Sequence, residues 1–393
     1  MTAIIVNLEL WFVYDDEQKY SDIIDKTYQL ALQDITKQLT ATSDTVIGLL
    51  LCDGFLYKNN DEFYNLLGKL QLDCKNKGIK NFIIIAGIVE DYQHELDKRN
   101  LNWKILCWDF SVNGIYQSYK NRLSVLPQWN FNSDKFLFLG GQPARKNRIT
   151  LLSKFYDKNL LDKSIWSFFI PDKEQDKEWC RNELSHYTDI QYKKFLQDCN
   201  RSVDDLYETA KTYAGYTGKQ WLDSDILKNE FLNDPNFIDP SVFQSTAFSV
   251  VSEGHVHPPG NDYRFLTEKT WRTVLNCHPF ILACVPQRMD FIKQKGLKTF
   301  ESYMSNPQYA YIEDYNDRLD TVVTNTENFL KNISQYKDAI SNDIYYNYNR
   351  FFQIVKENQA VINHLKEKFS ISDDVIAYWF EQKSFVHLFR IPK

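Results

Sequence analysis

The strongest chemical signal in the sequence is a carboxylate followed by a helix that opens with one acidic and one basic residue. The apolar run Phe248–Ser252 leads into Glu253, and after a polar loop Thr267 precedes Glu268 and Lys269. Thr267 is a favourable N-cap, so the next two residues are predicted in the first helical turn. The N–H groups and positive dipole there bind anions, and Lys269 adds a charge suited to a diphosphate.

Glu268 is suited to accept hydrogen bonds from ribose hydroxyls, because a carboxylate offers only acceptors. An ordinary capped helix whose Glu268 and Lys269 side chains are solvated is the alternative interpretation of the same pattern. The rest of the segment is therefore needed to decide between the two.

A second basic segment follows the apolar run Phe136–Gly141. Arg145 and Arg148 flank the predicted start of a helix at Asn147. A strand that opens through two glycines into a basic loop and a helix is how a Rossmann-like domain approaches a phosphate. The G-x-G-x-x-G and P-loop patterns are missing, so neither dinucleotide nor P-loop nucleotide binding is predicted. The alternative is a basic loop that only faces solvent.

Carboxylates that directly follow apolar runs in the N-terminal part could serve as a general base. Asp53 is our first choice, because Gly54 leaves the chain open beside it, and Asp91 is the second. Asp109 follows another apolar run. Partial burial raises the pKa of a carboxylate toward neutrality, which lets it deprotonate a hydroxyl. Each of these residues also fits a turn or a helix cap.

Metal-ligating residues do not occur at recognisable spacings. His255 and His257 form a His-x-His pair without a third and fourth ligand at a suitable distance in the sequence. They also fit a loop that lines a pocket for a sugar or an acceptor. Asp223 and Asp225 lie in a charged, helical segment, where we interpret them as a cap. We therefore predict no metal site.

The elements that must position these residues follow an alternating pattern. Strands are predicted at Ile4–Val6 or Leu8–Val13, Thr45–Cys52, Asn81–Ala86 and Lys104–Trp108, with helices at Tyr20–Leu39 and Asp61–Lys77. Continuously apolar strands separated by amphipathic helices predict a parallel sheet covered on both faces.

The pattern resumes in the second half of the chain. Strands are predicted at Phe136–Gly141, Ser164–Ile170, Phe248–Ser252 and Pro279–Cys284, and helices at Asn147–Tyr156, Glu268–Leu275 and from about 318 to 380. We predict an α/β fold with a Rossmann-like domain at 1–132 and a second domain at 133–335. A helical insertion at about 172–237 and a helical tail at 336–393 complete the predicted organisation.

The segment Thr267–Trp271 resembles the donor-binding signature of the fucosyltransferase-type GT-B glycosyltransferases, and similar segments occur in viral and bacterial glycosyltransferase-like proteins. The resemblance implies two Rossmann-like domains that face a cleft, with the acceptor-side domain at 1–132 and the nucleotide-sugar-binding domain at 133–335. It also implies that Lys269 binds the donor phosphates and Glu268 the ribose, while Glu253 faces the sugar or its nucleotide. A diphosphate contact is implied for an arginine, with Arg148 the better match and Arg145 the second.

Two departures limit the resemblance. Residues 276–278 replace the glycine that is usual before the Pro-led strand, and the loop at 253–267 is long. The sugar specificity of the fucosyltransferases is therefore not carried over to this chain.

The bulk properties narrow the class of protein. A length of 393 residues favours two domains, and the net charge of −6 gives no general attraction to nucleic acid or acidic membranes. The seven scattered cysteines predict a reduced interior. No signal peptide or membrane span is predicted from the sequence. We expect a cytoplasmic protein, in the host cytoplasm if the protein is viral.

Together these patterns predict an enzyme that moves a sugar from a nucleotide-diphosphate-sugar to a hydroxyl acceptor, with inversion favoured by analogy. The donor is a co-substrate, and neither a cofactor nor a metal is predicted. A glycan is the first choice of acceptor. A hydroxymethylated pyrimidine in DNA is the second, because the Asn-, Lys-, Ile- and Tyr-rich composition suits an AT-rich viral genome. The alternative of another class is a nucleotide-sugar-binding module without turnover.

Overall fold

The chain forms two compact α/β units. The computed structural model describes residues 2–8, 17–50, 61–86, 90–120, 126–141, 146–168, 174–199, 238, 240–253, 266–369 and 371. Unit 1 comprises Met1–Gly114, Gly260–Phe265 and Ile354–Lys393, and unit 2 comprises Ile115–Pro259 and Leu266–Gln353. The predicted α/β class is confirmed.

Unit 1 is built on a parallel sheet with the strand order β1-β2-β3-β4. Its elements in chain order are β1 (Thr2–Asn7), α1 (Glu17–Gln38), β2 (Ser43–Leu50), α2 (Asp61–Asn76), β3 (Asn81–Ala86), α3 (Glu90–Lys98), β4 (Trp103–Cys107) and the start of α4 (Phe110–Tyr119). Right-handed crossovers in this sequential order place α1, α2 and α3 on one face of the sheet. The opposite face then needs another cover.

The two faces of the unit 1 sheet carry separate apolar cores. Val46 and Ile84 pack with the buried side chains of α1, α2 and α3. Their neighbours Ile47 and Ile85 point to the other face, where they pack with Leu365 and other buried residues near the end of the last helix. Strand side chains alternate between faces, which is why β2 and β3 each contain a run of consecutive apolar residues.

Unit 2 contains a second parallel sheet with the order β6-β5-β7-β8. Its elements are β5 (Phe136–Gly141), α5 (Lys146–Asp157), β6 (Ser164–Phe168), α6 (Glu174–Glu183), α7 (189–199), α8 (Pro240–Gln244), β7 (Phe248–Ser252), α9 (Glu268–Leu275), β8 (Phe280–Ala283), α10 (Pro286–Gln294), α11 (Tyr315–Asn332) and α12 (Lys337–Phe369). The last part of α12, from Ile354, belongs to unit 1.

The strand order of unit 2 reverses between β5 and β7. The chain moves from β5 outward to β6 and then returns to the other side of β5 to form β7. Loops that leave neighbouring strands in opposite directions open a crevice at their carboxyl ends, and open α/β sheets bind ligands at such a switch point. β5, which ends at Gly141, and β7, which ends at Ser252 directly before Glu253, are the two strands that border it.

The boundary between the two units lies at a different residue from the predicted boundary between the two domains. Unit 2 begins at Ile115 rather than at 133. Tyr119 explains part of this, because its hydroxyl accepts hydrogen bonds from Ile238 N at 2.9 Å and from Asn276 Nδ2 at 3.2 Å. The roles assigned to the predicted domains stay predictions. None of the helices in the described part of the chain is long and apolar enough to cross a membrane.

Candidate functional site

Helix α9 begins as its sequence predicts. The Thr267 hydroxyl accepts a hydrogen bond from Lys269 N at 3.3 Å and so satisfies one of the free N–H groups of the first turn. Trp271, Val274 and Leu275 are buried and fix the helix against its unit. The polar first turn is consequently held in a defined position.

Glu253 ties the end of β7 to the start of α9. Its carboxylate is fully buried and accepts hydrogen bonds from Thr267 N, at 3.2 Å to Oε1, and from the Thr270 hydroxyl. Arg288 Nη1, in the first turn of α10, lies 3.8 Å from Glu253 Oε2, and neither side chain is exposed. A buried carboxylate is stable only when its oxygens are paired in this way.

The start of α5 is fastened to the same strand end. Asn147 Nδ2 donates to Ser252 Oγ at 2.6 Å and to the Glu253 carbonyl oxygen at 2.7 Å. Arg148, the next residue of α5, is 6% exposed. The N-termini of α5 and α9 are therefore both anchored at the carboxyl end of β7, which borders the switch point.

Glu268 and Lys269 form an ion pair at the start of α9, with side chains that are each 19% exposed. Burial opposes the charged form of Glu268, but the charges of Lys269 and Arg272 outweigh it and lower the pKa to about 2. Burial lowers the pKa of Lys269, the Glu268 carboxylate raises it, and the nearby Arg148 charge lowers it again, with a net lowering. Both side chains thus interact strongly with their neighbours.

These residues make up one charged cluster. It contains Arg148, Glu253, Glu268, Lys269, Arg272 and Arg288. In the described part of the chain, the cluster has four cationic side chains and two carboxylates. Cationic groups with low exposure, next to two helix N-termini, favour the binding of a ligand with at least two negative charges.

A pocket lies beside the cluster, between β5, β7, α8 and α9. The pocket is narrow and partly open to solvent. Leu137, Leu139 and Phe243 form an apolar wall, while Ser252, Lys269, Arg272 and other polar residues line the remainder. Lys269 and Arg272 therefore lie beside an apolar surface.

Several predicted residues fall outside the described part of the chain. Asp53, Arg145, His255, His257, Asp223 and Asp225 are among them. Asp91 lies in the first turn of α3, and its side chain is not among those described. Asp109 is buried, and its Oδ1 accepts from Val112 N at 3.0 Å, so this side chain caps α4. The general base therefore stays a prediction for Asp53 and Asp91.

Three residues that build the site were not predicted from the sequence as site residues. They are Asn147, Arg272 and Arg288. One sequence signal could have identified Arg288. Residues that open helices after neighbouring parallel strands converge at one edge of the sheet. Arg288 opens α10 directly after β8 and satisfies that rule.

No group of three or more His, Cys, Asp or Glu side chains suited to a metal ion occurs among the residues that the structure describes.

Comparisons with known proteins yield only distant structural likeness. No family model matches the chain, and no curated protein matches its sequence. A UDP-forming α,α-trehalose-phosphate synthase from Burkholderia xenovorans aligns over 91% of this chain and 80% of its own, with a TM-score of 0.40 and 8% identity. A second from Burkholderia vietnamiensis aligns over 90% and 78%, with a TM-score of 0.38 and 9% identity. At these values, the activity of neither protein carries over to this chain.

Proposed function

We propose that the chain is a glycosyltransferase whose unit 2 binds a nucleotide-diphosphate-sugar. The observation that carries the proposal is the convergence of two anchored helix N-termini and the charged cluster at the switch point of the unit 2 sheet. The resemblance of Thr267–Trp271 to a donor-binding signature points to the same ligand.

The proposed roles of Lys269, Arg148 and Glu268 are consistent with their places in unit 2. Lys269 and Arg148 bind the diphosphate, because both open helices that are anchored at the end of β7. Arg145 precedes the same helix as Arg148 and is the second choice for that contact. Glu268 accepts hydrogen bonds from the ribose, since a carboxylate with a lowered pKa remains an acceptor throughout the neutral range.

The proposed reaction is a substitution at the anomeric carbon of the donor sugar. The acceptor oxygen forms a bond to that carbon, and the bond between the carbon and the diphosphate oxygen breaks. The acceptor proton passes to a carboxylate, for which Asp53 is the first choice and Asp91 the second. Lys269, Arg148 and the two helix N-termini stabilise the negative charge that develops on the nucleoside diphosphate. Inversion is the expected stereochemical course, and no metal is required.

The acceptor is a hydroxyl group, with a glycan as the first choice. Hydroxymethylated pyrimidine in DNA is the second, for which composition is the only argument. A module that binds the donor without turnover is the rival of another class, and an assay of turnover separates it from an enzyme.

A screen of donors tests the proposal directly. We expect at least one of UDP-, GDP- and dTDP-sugars to raise the melting temperature of the wild-type protein, because a ligand that binds the native state stabilises it. Hits are then assayed for hydrolysis and for transfer to glycans and to hydroxymethylated DNA. Binding without any turnover would favour the module, and no binding of any donor would contradict the proposal.

A further inference from the structure

Glu253 is buried where a direct contact with a ligand was expected. Its side chain has no exposed surface, and its oxygens accept from Thr267 N and from the Thr270 hydroxyl. Both donors belong to the first turn of α9 or to its cap. The carboxylate thus contacts the protein at the start of α9, the turn that carries Lys269, and is itself buried.

Glu253 connects three elements of unit 2. Its backbone N–H donates to the Ala283 carbonyl oxygen of β8 at 3.3 Å, its side chain holds α9, and Arg288 of α10 lies 3.8 Å from Oε2. Burying a carboxylate and a guanidinium is unfavourable before their attraction is counted, and apolar pairs are often no less stable. Fold stability alone therefore gives little reason for this pair.

We infer that Glu253 is a positioning residue, which holds the N-terminal turn of α9 and the charge of Lys269 in place for a diphosphate. The inference rests on the proposed function, since it assigns the diphosphate of the donor to this turn. It differs from the sequence-based role, in which Glu253 itself faces the sugar or nucleotide. The distinction is testable because Thr270→Val removes one hydrogen bond to the carboxylate but leaves the carboxylate in place.

Removing charge and removing a hydrogen bond should have different effects on Lys269. Its ammonium interacts with Arg148 of α5, with Glu253 at the end of β7 and with Glu268 of its own helix. Burial lowers the pKa of Lys269, while Glu268 and Glu253 raise it. Glu253→Gln removes one of these two supports, so Lys269 loses its proton at a lower pH. Thr270→Val leaves all of these charges in place.

The test is calorimetric titration of the folded full-length chain with inorganic pyrophosphate, which does not depend on the unknown nucleobase. We expect Thr270→Val to bind about fivefold or more weakly, since it removes a hydrogen bond to a charged group, with an unchanged pH profile. Glu253→Gln should lose affinity at a lower pH than wild type does, and Glu253→Asp should recover part of the wild-type profile. The control is Thr326→Val, which removes a buried hydroxyl that donates to Val322 O within α11. It should lower stability without changing the affinity.

Wild-type affinity and a wild-type pH profile in both Thr270→Val and Glu253→Gln would overturn the inference and leave Glu253 a purely structural residue. If Glu253→Gln does not fold, the affinity of Thr270→Val decides. Wild-type protein that binds pyrophosphate but no nucleotide would contradict the proposed function and, with the expected variant effects, still support the inference. Wild-type protein that binds neither would overturn both.

Discussion

At the scale of single residues, the side-chain amides of two glutamines form hydrogen bonds with backbone groups of the edge strands in unit 1. In the described sheet of unit 1, Gln38 pairs with both the N–H and the carbonyl of Ile5 on the edge strand β1, at 3.0 and 2.8 Å. Gln93 pairs in the same way with Ile105 N and the Trp103 carbonyl oxygen of the other edge strand, both at 3.0 Å. Edge strands that are covered in this manner are protected from pairing with another chain.

His278 is the residue for which the structure predicts a pH effect on stability. Its Nδ1 accepts from the Ser249 hydroxyl at 2.8 Å, and its Nε2 donates to the Thr246 carbonyl oxygen at 3.0 Å. Burial lowers its pKa from 6.5 to about 4, against a smaller raising effect of the Thr246 bond. The unfolded chain therefore binds more protons between these pH values, and stability falls as the pH falls through that window.

We predict that wild type loses up to about 3 kcal/mol more than His278→Gln between pH 6.5 and pH 4. Urea unfolding of both proteins across this range measures the difference, and effects of carboxylates common to both cancel. Parallel stability curves for the two proteins would show that His278 does not titrate as its burial requires.

At the scale of elements, the end of α12 acts as part of the core of unit 1. Ile362, Leu365 and Phe369 recur at helical spacing and pack on the face of the sheet that α1, α2 and α3 leave bare. Asn358 reinforces this contact, because its side-chain amide pairs with both backbone groups of Asp109, at 3.1 and 2.9 Å. What the sequence shows as a helical tail is required to complete the fold of this unit.

Leu365→Ala should lower the free energy of unfolding by about 2–5 kcal/mol, because it leaves a cavity in a fully buried position. Urea titration followed by circular dichroism measures the change. Glu367→Ala, at an exposed position of the same helix, is the control and should have little effect. Equal stability of the two variants would contradict the packing of α12 on the sheet.

Elements with a strong local pattern could be predicted from the sequence, and long-range partners could not. The strand Phe136–Gly141 and the helix Glu268–Leu275 were predicted with the bounds that the structure has, because apolar runs, caps and turns are local signals. The pairing of Glu253 with Arg288 joins residues 35 positions apart with no spacing rule to relate them. The same alternation of strands and helices is compatible with several strand orders. The order β6-β5-β7-β8 therefore could not be predicted from it.

At the scale of the whole molecule, the two units are assigned different tasks. Unit 2 carries the charged cluster, and the proposed general base comes from unit 1. We predict that Asp53→Asn binds nucleotide like wild type but transfers sugar about 10²–10⁴ times more slowly. Asp91→Asn should show this loss only if Asp91 is the base. Wild-type transfer rates in both variants would remove both residues from the mechanism.

Transfer should persist in EDTA. Cationic side chains and two helix N-termini can stabilise the charge on a departing diphosphate without a metal ion. Initial rates measured with and without the chelator test this expectation. Loss of activity that manganese or magnesium restores would contradict the metal-independent mechanism.

The most direct test of the central claim is calorimetric titration of a nucleoside diphosphate into wild type, Arg148→Ala, Lys269→Ala and Lys331→Ala. Charge-assisted hydrogen bonds to phosphate contribute roughly 1.5–3 kcal/mol each. We therefore predict that the Kd rises about tenfold or more in Arg148→Ala and in Lys269→Ala. Lys331 is a largely exposed residue of α11, so its variant should bind like wild type. Unchanged affinity in both Arg148→Ala and Lys269→Ala would contradict the assignment of the donor site to unit 2.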